Sequence, residues 1–348
     1  MPNCEYLYDI HRLAQKSGMN ISIIIPVFNR PLEVRSLLES LVHQTDAAIE
    51  VVIVEDGSQD TCEQEVNVYR DRLNIKYVYK DNSGPGLTRN VGCRMATGDY
   101  LIFLDSDCIL PPQYVAAVRQ RLAARYTDAF GGPDQARDDF TPLQKAINYS
   151  MTSFFTTGGI RGGSEKLGKF QPRSFNMGFS REVFAKTGGF SPMRFGEDID
   201  MSLRIAKAGF RTQLIKDAYV YHRRRTNLQR FFRQVFNSGV ARINLYKRHP
   251  QSLKVVHTAP AVFTVGVVVL LVLALLVSPY FLLPIFTHAA FIFFDACLKT
   301  GNPWVGLLAI LTSYVQLIGY GVGFLYAGFT RLVLKRGEFA SFEKSFYD

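Results

Sequence analysis

Two aspartates one residue apart, Asp105 and Asp107, close the apolar run YLIFLDSDCIL (Tyr100–Leu110). Carboxylates that follow a buried strand need a positive partner, because an unpaired charge there is expensive. Two hard oxygen donors at this spacing suit Mg²⁺ or Mn²⁺, with the remaining coordination positions left to water and diphosphate oxygens. A helix cap is the plainer use of an aspartate before Pro111, but a cap employs one carboxylate and leaves the other unexplained. A second acidic group lies in FGEDIDMSLRIAKAGF (Phe195–Phe210), where Glu197 and Asp198 open a helix and Asp200 and Arg204 follow on the next turns. A carboxylate there can take the proton of a hydroxyl nucleophile within hydrogen-bond reach, although the helix dipole alone also favours acids at that position.

Short β-branched runs must position these residues. Ile21–Val27, Ile49–Val54, Ile75–Tyr79 and Tyr100–Leu104 alternate with the helix-length segments Pro31–His43, Asp60–Leu73 and Gly86–Ala96, each opening on a Pro, Asp or Gly signal. The alternation predicts an α/β fold with a mostly parallel sheet, whose ligand site lies at the carboxyl ends of the strands. That rule brings Asp56, at the end of VVIVED, and the aspartates of LDSD to one crevice. Between them DNSGPGLTRN (Asp81–Asn90) sets Gly84 and Gly86 ahead of a helix, offering backbone amides to an anionic ligand.

The chain of 348 residues is 47% apolar and 20% charged, enough for a sizeable core, but the apolar residues are unevenly spread. From Ala259 to Thr330 the only charges are Asp295 and Lys299, whereas residues 21–222 have the mixed composition of a soluble domain. Three apolar segments, Ala259–Ser278, Pro279–Cys297 and Pro303–Thr330, make up the tail. The first and third are long enough to span about 30 Å of hydrocarbon; the second is shorter and carries Pro284. Much of the net charge of +10 comes from Tyr221–Thr258, which holds nine Lys and Arg and no acid. Directly before an apolar span, such a stretch favours an anionic cytoplasmic face, and with no nucleic-acid module beside it the partner is membrane lipid rather than nucleic acid. Arg331, Lys335 and Arg336 favour the same face, which requires an even number of crossings, whereas three crossings would put the tail opposite. The N-terminal MPNCEYLYDIHRLAQKSGMN lacks the apolar centre of an export signal, so the soluble part is expected in the cytoplasm. Five cysteines without CxxC spacing fit reduced thiols there.

In this order, IPVFNRP, VEDGS, GPGLTRN, LDSD, FNMGFSREVF, TGGF and GEDIDMSLRI resemble the family 2 glycosyltransferases of GT-A fold, over about residues 20–225. Each motif alone is common, and the ordered set is what is specific. The apolar tail, with YGVGFLYAGF near its end, is similar to that of membrane-anchored bacterial envelope and exopolysaccharide members. The resemblance implies transfer of a sugar from a nucleotide-sugar donor, a UDP- or GDP-sugar, with inversion at the anomeric carbon and Mn²⁺ or Mg²⁺ as cofactor. Carried onto this sequence, it implies that Pro26 and Asp56 contact the nucleotide and that Arg89 supports that pocket. Asp105 and Asp107 would hold ribose, diphosphate and metal; Asp198, beside Glu197, would be the general base. His222 in AYVYHRRR stands where some relatives supply a third metal ligand, and Arg225 is placed to meet the diphosphate. A histidine beside a basic run is otherwise an interfacial residue. A metal-bound diphosphate leaves without protonation, so one carboxylate base suffices where a glycosidase uses two.

The QxxRW motif of processive synthases is missing: NLQRFFRQVF is the nearest stretch, and the sole tryptophan is Trp304. Addition of a single sugar is therefore expected. Arg230 and Arg233, three residues apart on an amphipathic helix, would face the phosphates of a lipid-linked acceptor, or membrane headgroups without specificity. FQPRSFNMGFSREVF and TGGF are expected to shape the acceptor side, and Thr156–Lys169 to be a loop that orders on donor binding or a plain spacer. The expected organisation is a leader (1–20), a GT-A catalytic domain (21–222), basic amphipathic interfacial helices (223–258), a transmembrane region of two or three helices (259–330) and a tail (331–348). The activity expected is non-processive transfer to a polyprenyl-diphosphate-linked acceptor in cell-envelope assembly, at the inner membrane with the catalytic domain facing the cytoplasm. A polyprenyl-phosphate sugar synthase and a catalytically silent nucleotide-binding scaffold are the alternatives. Two costly acidic clusters argue against silence.

Overall fold

The computed structural model describes residues 18–135, 140–157, 170–222 and 227–338, with His222 described by its backbone alone. The described residues fall into two compact units. One comprises the chain up to Gln135 together with Lys169–His222, and the other Ala136–Gly168 with Arg223–Phe339.

In the first unit β1 (Ile21–Val27), α1 (Pro31–Val42), β2 (Ile49–Asp56), α2 (Glu63–Tyr69), β3 (Asn74–Lys80), α3 (Pro85–Met95) and β4 (Tyr100–Leu104) realise the alternation read from the sequence. Seven strands form the main sheet in the order β3-β2-β1-β4-β8-β6-β9, where β6 is Ala129–Gly131, β8 Asn176–Ser180 and β9 Thr212–Leu214. The first four are parallel, and β8 runs antiparallel to β4 and β6. Both faces are covered. Ile21, Ile23 and Ile25 pack with Val34, Leu37, Leu38 and Leu41 of α1, while Ile24 turns to Val52, Val54 and Cys93 on the other face. Burial on both sides is why these strands read as continuous apolar runs. A small second sheet joins β5 (Cys108–Ile109), β10 (Val220–His222) and β7 (Asp134–Gln135). Helices α4 (Tyr114–Ala124), α7 (Arg181–Thr187) and α8 (Glu197–Lys207) complete the unit.

Two local departures from the sequence expectation have clear causes. α2 begins at Glu63 rather than Asp60, because the amides of Gln59 and Asp60 donate to Asn29 Oδ1 (2.8 and 3.1 Å) and that of Cys62 to Glu55 Oε2 (3.1 Å). β1 pairs with β4 only from Ile21 to Ile24 and then continues beside β2 alone. Pro26, which has no amide hydrogen, lies beyond that pairing, where a parallel sheet changes winding direction and binds ligands.

The second unit contains α5 (Pro142–Thr152), α6 (Phe154–Thr157), α9 (Leu228–Arg248), α10 (Ala259–Leu276), α11 (Leu283–Thr300) and α12 (Pro303–Gly328). Three stretches, Ala259–Leu276, Pro279–Thr300 and Pro303–Val333, are long and apolar enough to cross a membrane. The apolar face of α9 is taken by protein: Phe231 and Val235 pack with Ile147 and Met151 of α5, and Val240 and Ile243 with Ala327 of α12. A Cβ on Gly239 would strike the Tyr320 carbonyl and one on Gly323 the Phe236 carbonyl, so small residues let these two helices touch backbone to backbone. This is the physical content of the YGVG motif. Asp295 accepts from Tyr149 Oη (2.6 Å) and Lys299 Nζ (2.9 Å), so the two charges of the apolar region pair with each other and with α5. A Cβ on Gly321 would meet Pro260, and Arg248 binds Glu338 through two nitrogens at 3.2 Å each. The segment before the first apolar helix and the segment after the last therefore share one end of this unit.

Candidate active site

After β4 the chain turns over Asp105–Asp107, with Cys108 N donating to Asp105 O (3.1 Å), and enters β5. Neither aspartate caps a helix, since Gln113 holds the position before α4. Two arginines meet them. Arg89 Nη2 lies 2.6 Å from Asp105 Oδ1, and Arg30 Nη1 lies 2.6 Å from Asp107 Oδ2. Arg89, on α3, is 3% exposed and gives its other terminal nitrogen to Glu197 Oε1 at 3.1 Å. It thereby ties the LDSD turn to the first residue of α8. The TGGF segment supports it from below: Phe190 lies under the guanidinium, 5.5 Å from ring centre to carbon, and Asn90 exchanges two 2.8 Å hydrogen bonds with the Phe190 backbone. Gly189, at φ +81°, lets that turn lie against the Asn90 side chain.

On α8, burial first and the Asp198 charge second push the Glu197 carboxyl up to about 7, against the pull of Arg89. Asp198 sits beside it with Oδ2 3.3 Å from Arg173 Nε and Oδ1 accepting from the Ile199 amide (2.7 Å). Asp200 is buried and bound to Arg204 (2.8 Å), which in turn donates to Thr187 O, so this acid locks α8 to the preceding turn. Both Glu197 and Asp198 occupy the first turn, where the helix dipole favours negative charge.

Asp56, at the carboxyl end of β2, is buried and bonds inward, to Lys80 and to the amides of Ser83 (2.8 Å) and Gly84 (2.9 Å). This corrects one expectation. The Gly84 amide offered by the sequence to an anionic ligand is satisfied by a carboxylate of the chain itself, and the positive φ of Gly84, +85°, serves that turn. The FNMGF motif is likewise structural in its centre: it is β8, and buried Asn176 accepts from Tyr114 Oη (2.6 Å) and donates to Ala218 O (2.8 Å). Pro26, Asp56, Arg89, Asp105, Asp107, Glu197 and Asp198 all belong to the first unit. Arg230 and Arg233 are exposed on α9 of the second. His222 pairs by its backbone with Cys108, the neighbour of Asp107; its side chain, and all of Arg225 and residues 158–169, lie outside the described residues. Sequence reasoning missed Arg30, Lys80 and Arg173, the cations that answer the acids. IPVFNRP carried Arg30 in plain view, without indicating which strand end it would reach.

Among the described residues no three His, Cys, Asp or Glu side chains gather into a metal cage. Asp105 and Asp107 are two oxygen donors on one turn, with Asp105 a third exposed. That set fits a magnesium- or manganese-type ion completed by ligand oxygens and water, the usual arrangement where the ion is shared with a phosphate substrate.

A family model described as glycosyl transferase family 2 matches residues 22–188, the stretch that carries the strand ends and the LDSD turn. These residues, just under half of the chain, resemble that family. The chain is 41% identical over 102 residues to validoxylamine A glucosyltransferase of Streptomyces hygroscopicus subsp. jinggangensis, covering 28% of this chain and 24% of the relative. It is also 30% identical over 198 residues to an uncharacterised glycosyltransferase of Haemophilus influenzae, covering 53% and 61%. The chain thus spans about a quarter of the first relative's length and under two thirds of the second's. Mannosyltransferase PcManGT from Pyrobaculum calidifontis, solved with GDP-Man and Mn²⁺, is similar over 95% of each chain at 18% identity and a TM-score of 0.55. At that identity the likeness speaks to the fold, a GT-A-like α/β domain followed by apolar helices.

Proposed function

We propose that this glycosyltransferase moves one sugar from a nucleotide-sugar donor to a lipid-linked acceptor, with inversion and with a divalent cation. The observation that carries the reading is the Arg89 bridge, which joins Asp105 to Glu197 and so brings the two-carboxylate turn and Asp198 to one strand-end crevice. Asp105 and Asp107 would hold the cation, which when bound neutralises the departing diphosphate. Pro26 borders the nucleotide crevice, and Asp56 fixes the loop beside it by holding Lys80 and the Gly84 amide. Asp198 takes the proton of the acceptor hydroxyl, and Arg173, 3.3 Å away, holds its carboxylate in position. Glu197 is a positioning residue that aligns Arg89. His222 and Arg225 would complete the metal and diphosphate contacts, and Arg230 and Arg233 the lipid-phosphate contact.

The apolar helices would hold the enzyme in a membrane with its catalytic domain on the cytoplasmic side. The shared end of Lys254-side and Glu338-side segments supports an even number of crossings, because three would separate them by about 30 Å of hydrocarbon. Lys254→Cys and Glu338→Cys are expected to react with an impermeant thiol reagent from the same side; reaction from opposite sides overturns that topology.

The catalytic test is a nucleotide-sugar panel with Mn²⁺ or Mg²⁺ and a native lipid extract, using detergent-purified protein beside Asp107→Ala and Asp198→Asn. Metal-dependent transfer lost in both variants, with donor binding kept in Asp198→Asn, is the expected result. Neither turnover nor metal-dependent nucleotide binding with any donor would leave a silent scaffold.

A further inference from the structure

We propose that Arg30 is an exchangeable counter-ion: it neutralises Asp107 in the donor-free protein and passes to the donor's diphosphate when a divalent cation takes that carboxylate. The inference rests on the reading of Asp107 as a metal-side residue.

The two arginines of the LDSD turn are built differently. Arg89 is clasped between Asp105 and Glu197, stacked over Phe190 and 3% exposed, so it has no room to leave. Arg30 has a side chain 34% exposed and reaches Asp107 from the loop after β1. Its backbone, by contrast, is pinned. Asn29 before it stands at φ +52°, donates its amide to Ser58 Oγ (2.8 Å) and accepts from Gln59 and Asp60. Pro31 follows as the first residue of α1. A fixed root with a long arm about a third exposed suits a side chain that changes partners while its base stays in place.

The electrostatics require such a change. The Asp107 side chain is 12% exposed, and a carboxylate so placed needs a cation before any ligand arrives. Once a divalent ion binds there, a guanidinium 2.6 Å from the same carboxylate becomes a like-charge neighbour. The diphosphate that arrives with the ion offers the planar, two-oxygen face that a guanidinium binds best. Cation alone must therefore evict Arg30 without compensation, while cation with nucleotide gives it a new partner. Arg30 couples the two ligands, so each tightens the other.

The experiment titrates full-length protein with Mn²⁺, following free ion by its paramagnetic resonance signal, first alone and then with UDP and GDP in turn. Wild type is expected to bind Mn²⁺ weakly alone and more tightly with one nucleotide. Arg30→Gln is expected to bind Mn²⁺ alone about 5- to 100-fold more tightly and to lose most of the nucleotide's enhancement. Arg30→Lys, which keeps the charge without the fork, should stay close to wild type for Mn²⁺ alone and bind nucleotide more weakly. Arg30→Gln that folds and binds Mn²⁺ no more tightly than wild type overturns the inference. Wild-type Mn²⁺ binding unchanged by Asp107→Asn overturns the metal-side reading beneath it instead, and an unfolded Arg30→Gln leaves the decision to Arg30→Lys, whose unweakened nucleotide binding also overturns the exchange.

Discussion

Glu50 and Glu197 are both more than nine-tenths buried, at 6% and 8% exposure, yet they lie toward opposite ends of the parallel strands and their carboxyls shift in opposite directions. Near the amino end of β2, Glu50 accepts from Ser22 Oγ, from the Thr97 amide (2.7 Å) and hydroxyl (3.0 Å), and pairs with Lys76 (2.7 Å). Burial would raise its pKa, but these donors outweigh it and pull the carboxyl down to about 2. At the carboxyl end Glu197 has Arg89, a cation it shares with Asp105, and burial prevails. The amino end saturates its acid with fixed donors. The carboxyl end has fewer cations: Arg89 is shared by Asp105 and Glu197, while Asp107 and Asp198 pair with the partly exposed Arg30 and Arg173.

If that contrast separates function from stability, substitutions at the two ends should fail in different assays. Asp198→Asn is expected to cost the transfer rate about 10²- to 10⁴-fold, the usual worth of a positioned base, while leaving the thermal midpoint and donor affinity near wild type. A large stability loss with proportionate activity would put Asp198 with Glu50. Arg89→Gln should fail in both assays, because removing one partner from a buried ionic cluster costs about 3–5 kcal/mol and also frees the LDSD turn from α8. Denaturant unfolding and nucleotide binding on the same preparation read the two losses separately.

How far these ends were legible in the sequence follows the same division. β1 and β4 were read to the residue because burial on both faces writes a continuous apolar run. β2 extends two residues further than its apolar run, through Glu55 and Asp56, since both acids are buried and bonded inside. The acids of the site were visible as motifs. Their cations were not: Arg30 is 77 residues from Asp107 and Lys80 is 24 from Asp56, and only the strand order brings them together. The amphipathic pattern of α9 was equally plain, but the sequence does not say that α5 and α12, rather than lipid, cover its apolar face.

Glu50→Gln tests the structural end. A carboxyl at about 2 when folded and near 4.5 when unfolded contributes about 3 kcal/mol above the unfolded value. Because its folded pKa is depressed, that contribution is present above pH 4.5 or so and is lost as the pH falls toward 2. Thermal unfolding of wild type should therefore weaken over that acidic window more steeply than that of Glu50→Gln, whose midpoint should already be low at neutral pH. Transfer at a permissive temperature should change little. A variant as stable as wild type at pH 7 would mean that the four donors stabilise the amide as well as they do the anion.

Glu197→Gln is the smallest and most discriminating change, because a neutral side chain of the same shape imitates a carboxyl whose proton is already held more tightly by the folded state. With the folded pKa raised from 4.5 to about 7, folding binds a proton over that interval, so wild-type stability should decline as the pH rises through it. Glu197→Gln should show no such decline, and the two unfolding midpoints should draw apart between about pH 5 and 7, the opposite sense to the Glu50 pair. Arg89 keeps Asp105 in the variant, so nucleotide and Mn²⁺ binding should persist, with a modest fall in transfer from a less firmly aligned LDSD turn. Parallel midpoints across the whole range would mean that Arg89 outweighs burial at Glu197, and the two ends of the sheet would then hold their acids by the same means.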